Sequence, residues 1–204
     1  MENYIVAKSI GVYNVVALIL RANQQNPCGR TVIQKLTYFW SLLVSPINGV
    51  FFEPHYYGPY SSRLQRALHE MTSYAYLVEN MTPDSVYRTY HYQLSNNGIE
   101  LALRAYDMYK DNFEKIQKII NVCRDDSVLR AYELSLAAKI FYISDKMDVG
   151  KISPIPKNTT AIISAATKYG WNMTQTEVTK GSKILSKLTS MYPPLHQGQN
   201  SLPD

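Results

Sequence analysis

The run Phe51-Phe52-Glu53-Pro54-His55-Tyr56-Tyr57-Gly58-Pro59-Tyr60-Ser61-Ser62-Arg63-Leu64 constrains this chain more than any other stretch. It reads as a short extended segment, with a strand candidate at Phe51-Phe52, broken at Gly58-Pro59 and delivered straight into a helix. Glycine tolerates positive φ, whereas proline fixes its own φ and biases the preceding residue away from the right-handed helical region. Ser61 then supplies an N-cap, predicting a helix over 62–73 with Leu64, Ala67, Leu68 and Met71 facing inward.

The surrounding pattern sets an order. Residues 4–22 carry Ile10, Tyr13, Ala17 and Leu20 at helical spacing, and 23–29 is a polar loop. Thr31 starts a second helix with Val32, Leu36, Phe39 and Leu43 as its stripe, ended by Ser45-Pro46. After the third helix come a strand at 74–78, a turn at 80–85 and a strand at 86–94, where Tyr90, Tyr92 and Leu94 alternate with Thr89, His91 and Gln93. Three helices followed by a two-stranded hairpin is the order of a winged helix-turn-helix, with 62–73 as the reading helix and the hairpin as the wing. The expected fold is mainly α with a small β-hairpin.

Beyond Leu94, Ser95-Asn96-Asn97-Gly98 opens a long helix. Ile99, Ala102, Tyr106, Tyr109, Phe113, Ile116, Ile120 and Cys123 follow at alternating steps of three and four, a heptad stripe that predicts a homodimer seam through the 98–124 helix. The other reading of that stripe is packing within the subunit. Asp125-Asp126-Ser127 breaks the helix, and the next one runs to about Ser144 with Leu129, Tyr132, Leu136, Ile140 and Ile143 on one face. Helices at 159–169 and 176–191 complete the pattern. The division expected is a winged domain at 1–97, a helical dimerisation or interaction region at 98–191, and a disordered tail at 192–204.

Composition narrows the function classes. Of 204 residues only two are cysteines, Cys28 and Cys123, too few for a disulfide framework. No apolar run is long enough to span a membrane and no signal sequence is recognisable, so a cytoplasmic location is expected, with no membrane partner. The net charge of +5 permits nucleic-acid binding without requiring it.

The segment Gly29-Arg30-Thr31-Val32-Ile33-Gln34-Lys35-Leu36-Thr37-Tyr38-Phe39, with His55-Tyr56-Tyr57-Gly58-Pro59-Tyr60-Ser61 and Tyr92-Gln93-Leu94-Ser95-Asn96-Asn97-Gly98, resembles the YwgA-like group of prokaryotic proteins. The layout is similar, more distantly, to the SocA-like (Panacea) antitoxin domain, which follows Gly-Pro with an aliphatic residue where this chain has Tyr60-Ser61. The resemblance covers roughly residues 29–100. It implies a winged-helix protein of bacteria, archaea or their mobile elements, used as a regulator, antitoxin or defence accessory.

On the predicted reading helix, Ser62, Gln65, Arg66 and His69 share a face by spacing, with Arg63 beside them. Arginine pairs with guanine and glutamine with adenine in the major groove, while serine suits phosphate. Arg30, Lys35 and Arg88 are the expected backbone contacts, at the second helix and near the wing tip. Tyr56, Tyr57 and Tyr60 are expected to pack the junction of sheet and helix rather than to stack on single strands. The four histidines, His55, His69, His91 and His196, are scattered and show no metal-ligand spacing, and there is no glycine-rich phosphate loop. Cys28 has Arg30 nearby but no identified base. No catalytic residue, metal or cofactor is therefore assigned. The function expected is a dimeric, double-stranded-DNA-binding regulator of transcription. The alternative is a protein-interaction module, an antitoxin or adaptor, that uses the same scaffold without DNA.

Overall fold

The structure is a computed structural model that describes residues 9–24, 26–83, 88–126, 128–147 and 159–195. Its elements begin α1 (Val12–Ala22), β1 (Cys28–Gly29), α2 (Arg30–Leu43), α3 (Ser62–Ser73), β2 (Leu77–Pro83) and β3 (Arg88–Leu94). They continue with α4 (Asn96–Met108), α5 (Lys110–Cys123), β4 (Arg124–Asp125), β5 (Val128–Leu129), α6 (Ala131–Met147), α7 (Thr159–Thr167) and α8 (Gln175–Met191). The fold is mainly helical with one small three-stranded antiparallel sheet, in the order β1-β3-β2. The α1-β1-α2-α3-β2-β3 sequence is that of a winged helix. Its connection between α2 and α3 departs from the usual turn of about 3–4 residues, because the whole segment from Val44 to Ser61 lies between them.

α1 begins at Val12 rather than at residue 4; Ile10 is extended and bridges Ile47, and residues 4–8 lie outside the described residues. From Val15 to Leu20 every side chain is buried, so α1 is the central helix of the molecule rather than an amphipathic surface one. α2 is covered on nearly all sides from Val32 to Trp40.

α3 has the predicted bounds. The Ser61 hydroxyl accepts a hydrogen bond from the Leu64 amide, and Leu64, Ala67, Leu68 and Met71 are buried. Each large side chain among them contributes about 1.5–3 kcal/mol of burial free energy. The helix ends in a Schellman arrangement, with Tyr76 N–H donating to Met71 O and Ala75 N–H to Thr72 O. Ala75 holds the left-handed position at φ 56°. This cap delays β2 to Leu77, three residues later than the sequence pattern predicts. β2 then runs through the predicted turn to Pro83, paired from Leu77↔Leu94 to Pro83↔Arg88. The proline is tolerated because β2 is an edge strand. The wing tip, 84–87, lies outside the described residues.

The sheet's third strand, Cys28-Gly29, falls in what the sequence presents as a polar loop; it pairs with Tyr92 and His91 of β3. The Phe51-Phe52 strand candidate does not form. Only the Glu53↔Tyr60 bridge exists there.

The long helix expected over 98–124 is interrupted at Tyr109, whose φ of −133° and ψ of 41° separate α4 from α5. Part of the heptad stripe packs inside the subunit. Ala102, Ile116, Ile120 and Cys123 are buried, and Arg21 of α1 lies over the Tyr106 ring at 5.2 Å and the Phe113 ring at 5.8 Å. Ile99, Tyr106, Tyr109 and Phe113 of the same stripe are only partly buried. Ser95 caps α4 by accepting from Gly98 N–H.

Arg124-Asp125 (β4) pairs antiparallel with Val128-Leu129 (β5), with Asp126 at φ 45°, so Leu129 precedes α6 instead of lying on its face. Tyr132 is exposed while Leu136, Ile140 and Ile143 are buried. α8 packs so closely on α6 that a Cβ at Gly181 would stand 2.8 Å from the Leu136 carbonyl carbon. One continuous hydrophobic cluster draws on α1 through α8 and does not divide at residue 97. At the far end, Leu195 N–H donates to Leu42 O, so the expected tail begins docked on α2; residues 196–204 lie outside the described residues.

A left-handed alanine costs about 1–2 kcal/mol relative to glycine. Ala75→Gly is therefore expected to raise the unfolding free energy by about 1 kcal/mol, read as a higher urea midpoint with an unchanged slope.

Candidate nucleic-acid interface and an adjoining cavity

Two neighbouring residues of α2 fasten the Gly58-Pro59 turn that leads into α3. Gln34 makes a two-way clamp, its Nε2 donating to Ser61 O at 3.0 Å and its Oε1 accepting from Ser61 N–H at 2.9 Å. Lys35 Nζ donates to Pro59 O at 2.7 Å. Gly58 sits at φ 91°, and a Cβ there would stand 3.0 Å from Lys139 Cγ of α6. From the other side, Trp171 Nε1 donates to His55 O at 2.7 Å. α3 is thus aimed from α2, α6 and the α7–α8 connection together.

On α3, Ser62, Arg66 and His69 face solvent, as their spacing predicts. Gln65 does not share their exposure. It is half-buried, and its Oε1 has no hydrogen-bond partner among the described residues. Arg63 is held by Glu70, with Nη1 3.1 Å from Oε2, and Tyr13 donates to the same oxygen at 2.7 Å. These bonds, from Tyr13 first and then Arg63, hold the Glu70 carboxyl below the usual carboxylate range. The positive field of the face consequently rests on Arg66.

Of the three expected backbone contacts, Lys35 is corrected. It is 1% exposed, sealed under the turn, and cannot reach a phosphate. Burial, with the Lys139 charge second, lowers its pKa to about 7. Arg30 is half-buried at the start of α2, its guanidinium 4.3 Å above the Tyr90 ring. Arg88 opens β3, but its side chain lies outside the described residues. The tyrosine expectation is also corrected: Tyr56 is 75% exposed and Tyr57 53%, their rings edge to face at 4.9 Å, while Tyr60 stacks on His55 at 4.9 Å.

Cys28 is buried in β1, and desolvation pushes its thiol up to about 12, which suits a packing role. Among the described residues no cluster of His, Cys, Asp or Glu could hold a metal ion, and no described helix is long and apolar enough to cross a membrane.

Sequence reading missed a cavity of about 850 Å³ beside this interface. Its walls come from the 23–29 loop, the first turns of α2, the 55–60 turn, Gln65 of α3, residues 89–91 of β3 and the β5–α6 junction. Asn23 and Asn26 bond each other's carbonyls, and Arg124 Nη2 donates to Asn23 Oδ1 at 2.9 Å, fixing that rim. No periodicity reports such a space, because its residues come from five separated stretches.

No protein-family model matches the chain. No curated protein matches it either.

Lys35 supplies a pH test. The unfolded chain keeps this proton up to about 10.4, whereas the native protein releases it at about 7. Between those values the unfolded state binds more protons, so stability rises with pH. The burial cost is full below about 7 and gone above about 10.4. The unfolding free energy of the wild type minus that of Lys35→Met is expected to climb from pH 7 to 10, as measured by urea titration.

Proposed function

We propose that this protein binds double-stranded DNA in the winged-helix manner, with α3 in the major groove and the β2-β3 wing beside it. The observation that carries the reading is the mounting of α3. It is capped by Ser61, clamped through Gln34, closed at Ala75, and presents Ser62, Arg66 and His69 to solvent. Rigid display of a short polar face is what base readout requires. Arg30 stands nearby as a candidate phosphate contact. The resemblance to the YwgA-like group supports the same reading, and a transcriptional regulator or mobile-element accessory in a prokaryotic cytoplasm is the role that fits.

A second reading has its own observation. Phe51 and Tyr56 are each 75% exposed on the long α2–α3 connection, and Arg63 is already paired with Glu70. Exposed rings on a firm loop serve protein recognition, as in an antitoxin or adaptor.

Selection from a random duplex library, followed by anisotropy titration, tests the first reading. Arg66→Ala is expected to weaken the selected duplex by about tenfold, since one good base contact is worth about 1–3 kcal/mol. Affinity should fall steeply with salt. Arg63→Ala should matter less unless Glu70→Gln has freed the guanidinium. No duplex recovered at low salt, with a protein partner co-purifying instead, would establish the second reading.

A further inference from the structure

We infer that the cavity beside α3 is a binding site for a small anion carrying a planar ring, the chemistry of a nucleoside monophosphate. The inference goes beyond duplex binding and does not depend on it.

Charge is the first argument. Arg30 lines the space, while none of its described lining residues is Asp or Glu. A cation unopposed by acids in a concave, low-dielectric setting concentrates its field on an anion. Arg30 is a fixed fork rather than a waving surface charge, because its guanidinium rests 4.3 Å over Tyr90.

Backbone chemistry points the same way. α2 starts at Gly29 without a side-chain cap, and Gly29, Arg30, Thr31 and Val32 all line the cavity. First-turn amides that lack a capping oxygen present donors and the positive end of the helix dipole to an anion.

Rings supply the other half of the ligand. Tyr57, Tyr60, Tyr90 and the two histidines stand around the same space. Tyr60 already stacks on His55, at 4.9 Å and 30°. Gln65 adds a buried side-chain oxygen with no partner among the described residues, which is an acceptor for an exocyclic amine. The volume, about 850 Å³, falls in the upper part of the range of small-ligand sites, about 300–1,000 Å³. It is generous for a bare phosphate or a single ring.

The test titrates the full chain with adenosine 5′-monophosphate and guanosine 5′-monophosphate by calorimetry, and follows the same additions by amide NMR. At least one should bind with Kd below about 1 mM, with shift changes at Thr31, Gln65, His91 and Leu129. Adenosine, guanosine and inorganic phosphate should each bind about tenfold or more weakly, as loss of a charge-assisted or stacking half requires. Arg30→Gln should cost about tenfold, whereas Arg66→Gln, which removes the same charge outside the cavity, should leave nucleotide binding intact while impairing duplex binding. The shift pattern in the wild type tests the site even if Arg30→Gln does not fold. Failure of both nucleotides to bind, shifts confined to the α3 surface, or equal losses in the two arginine variants would overturn the site. Phosphate alone binding as tightly as the nucleotides would overturn the ligand class.

Discussion

The structure depends on the attachment of one turn to one helix. Gln34 and Lys35, adjacent on α2, hold three backbone groups of the segment Pro59–Ser61. A long connection between two helices is entropically free to place the second helix almost anywhere. Here the freedom is removed at the last three residues, immediately before the Ser61 cap. The fastening is polar and buried, so each lost partner would leave a desolvated group behind. α3 is therefore oriented less by its own sequence than by two side chains some thirty residues earlier.

That attachment also explains why the exposed face of α3 and the cavity are neighbours. The turn's outer side, with His55, Tyr57 and Tyr60, forms one wall of the cavity, and its inner side rests on Lys139 and Ser135 of α6. Gln65 stands at the boundary, on the helix that carries Arg66 but half-buried and lining the cavity. The electrostatics are divided as well. Glu70 absorbs Arg63 on the outer face, whereas the described cavity wall carries no acid to absorb Arg30.

Local signals in the sequence were legible where one residue decides one outcome. Ser61 set the start of α3, and the spacing of Leu64, Ala67, Leu68 and Met71 set its buried side. Gly58 took the positive φ its position invited. Ser62, Arg66 and His69 were placed correctly because they lie on the side opposite that stripe. What failed was decided by tertiary partners. Lys35 reads as a surface charge, and only the turn folded over it makes it a core residue. Cys28-Gly29 is too short to register as a strand without β3 to pair with. The heptad stripe does not run along one helix, because Tyr109 breaks it, and part of it packs on α1. The start of β2 was displaced by an alanine doing what glycine usually does.

The undivided core has a consequence for heredity. α1 is buried on all sides, with α2 and α3 on one flank and α4 and α5 on another. A gene fragment ending near codon 97 would encode every winged-helix element and yet leave half the environment of its central helix in water. Recombination would not lift such a segment out intact and graft it to a new partner, as it can with modules joined by linkers. Lineages carrying this body are expected to diversify by changing loops and exposed faces in place, with the whole 9–195 unit inherited together.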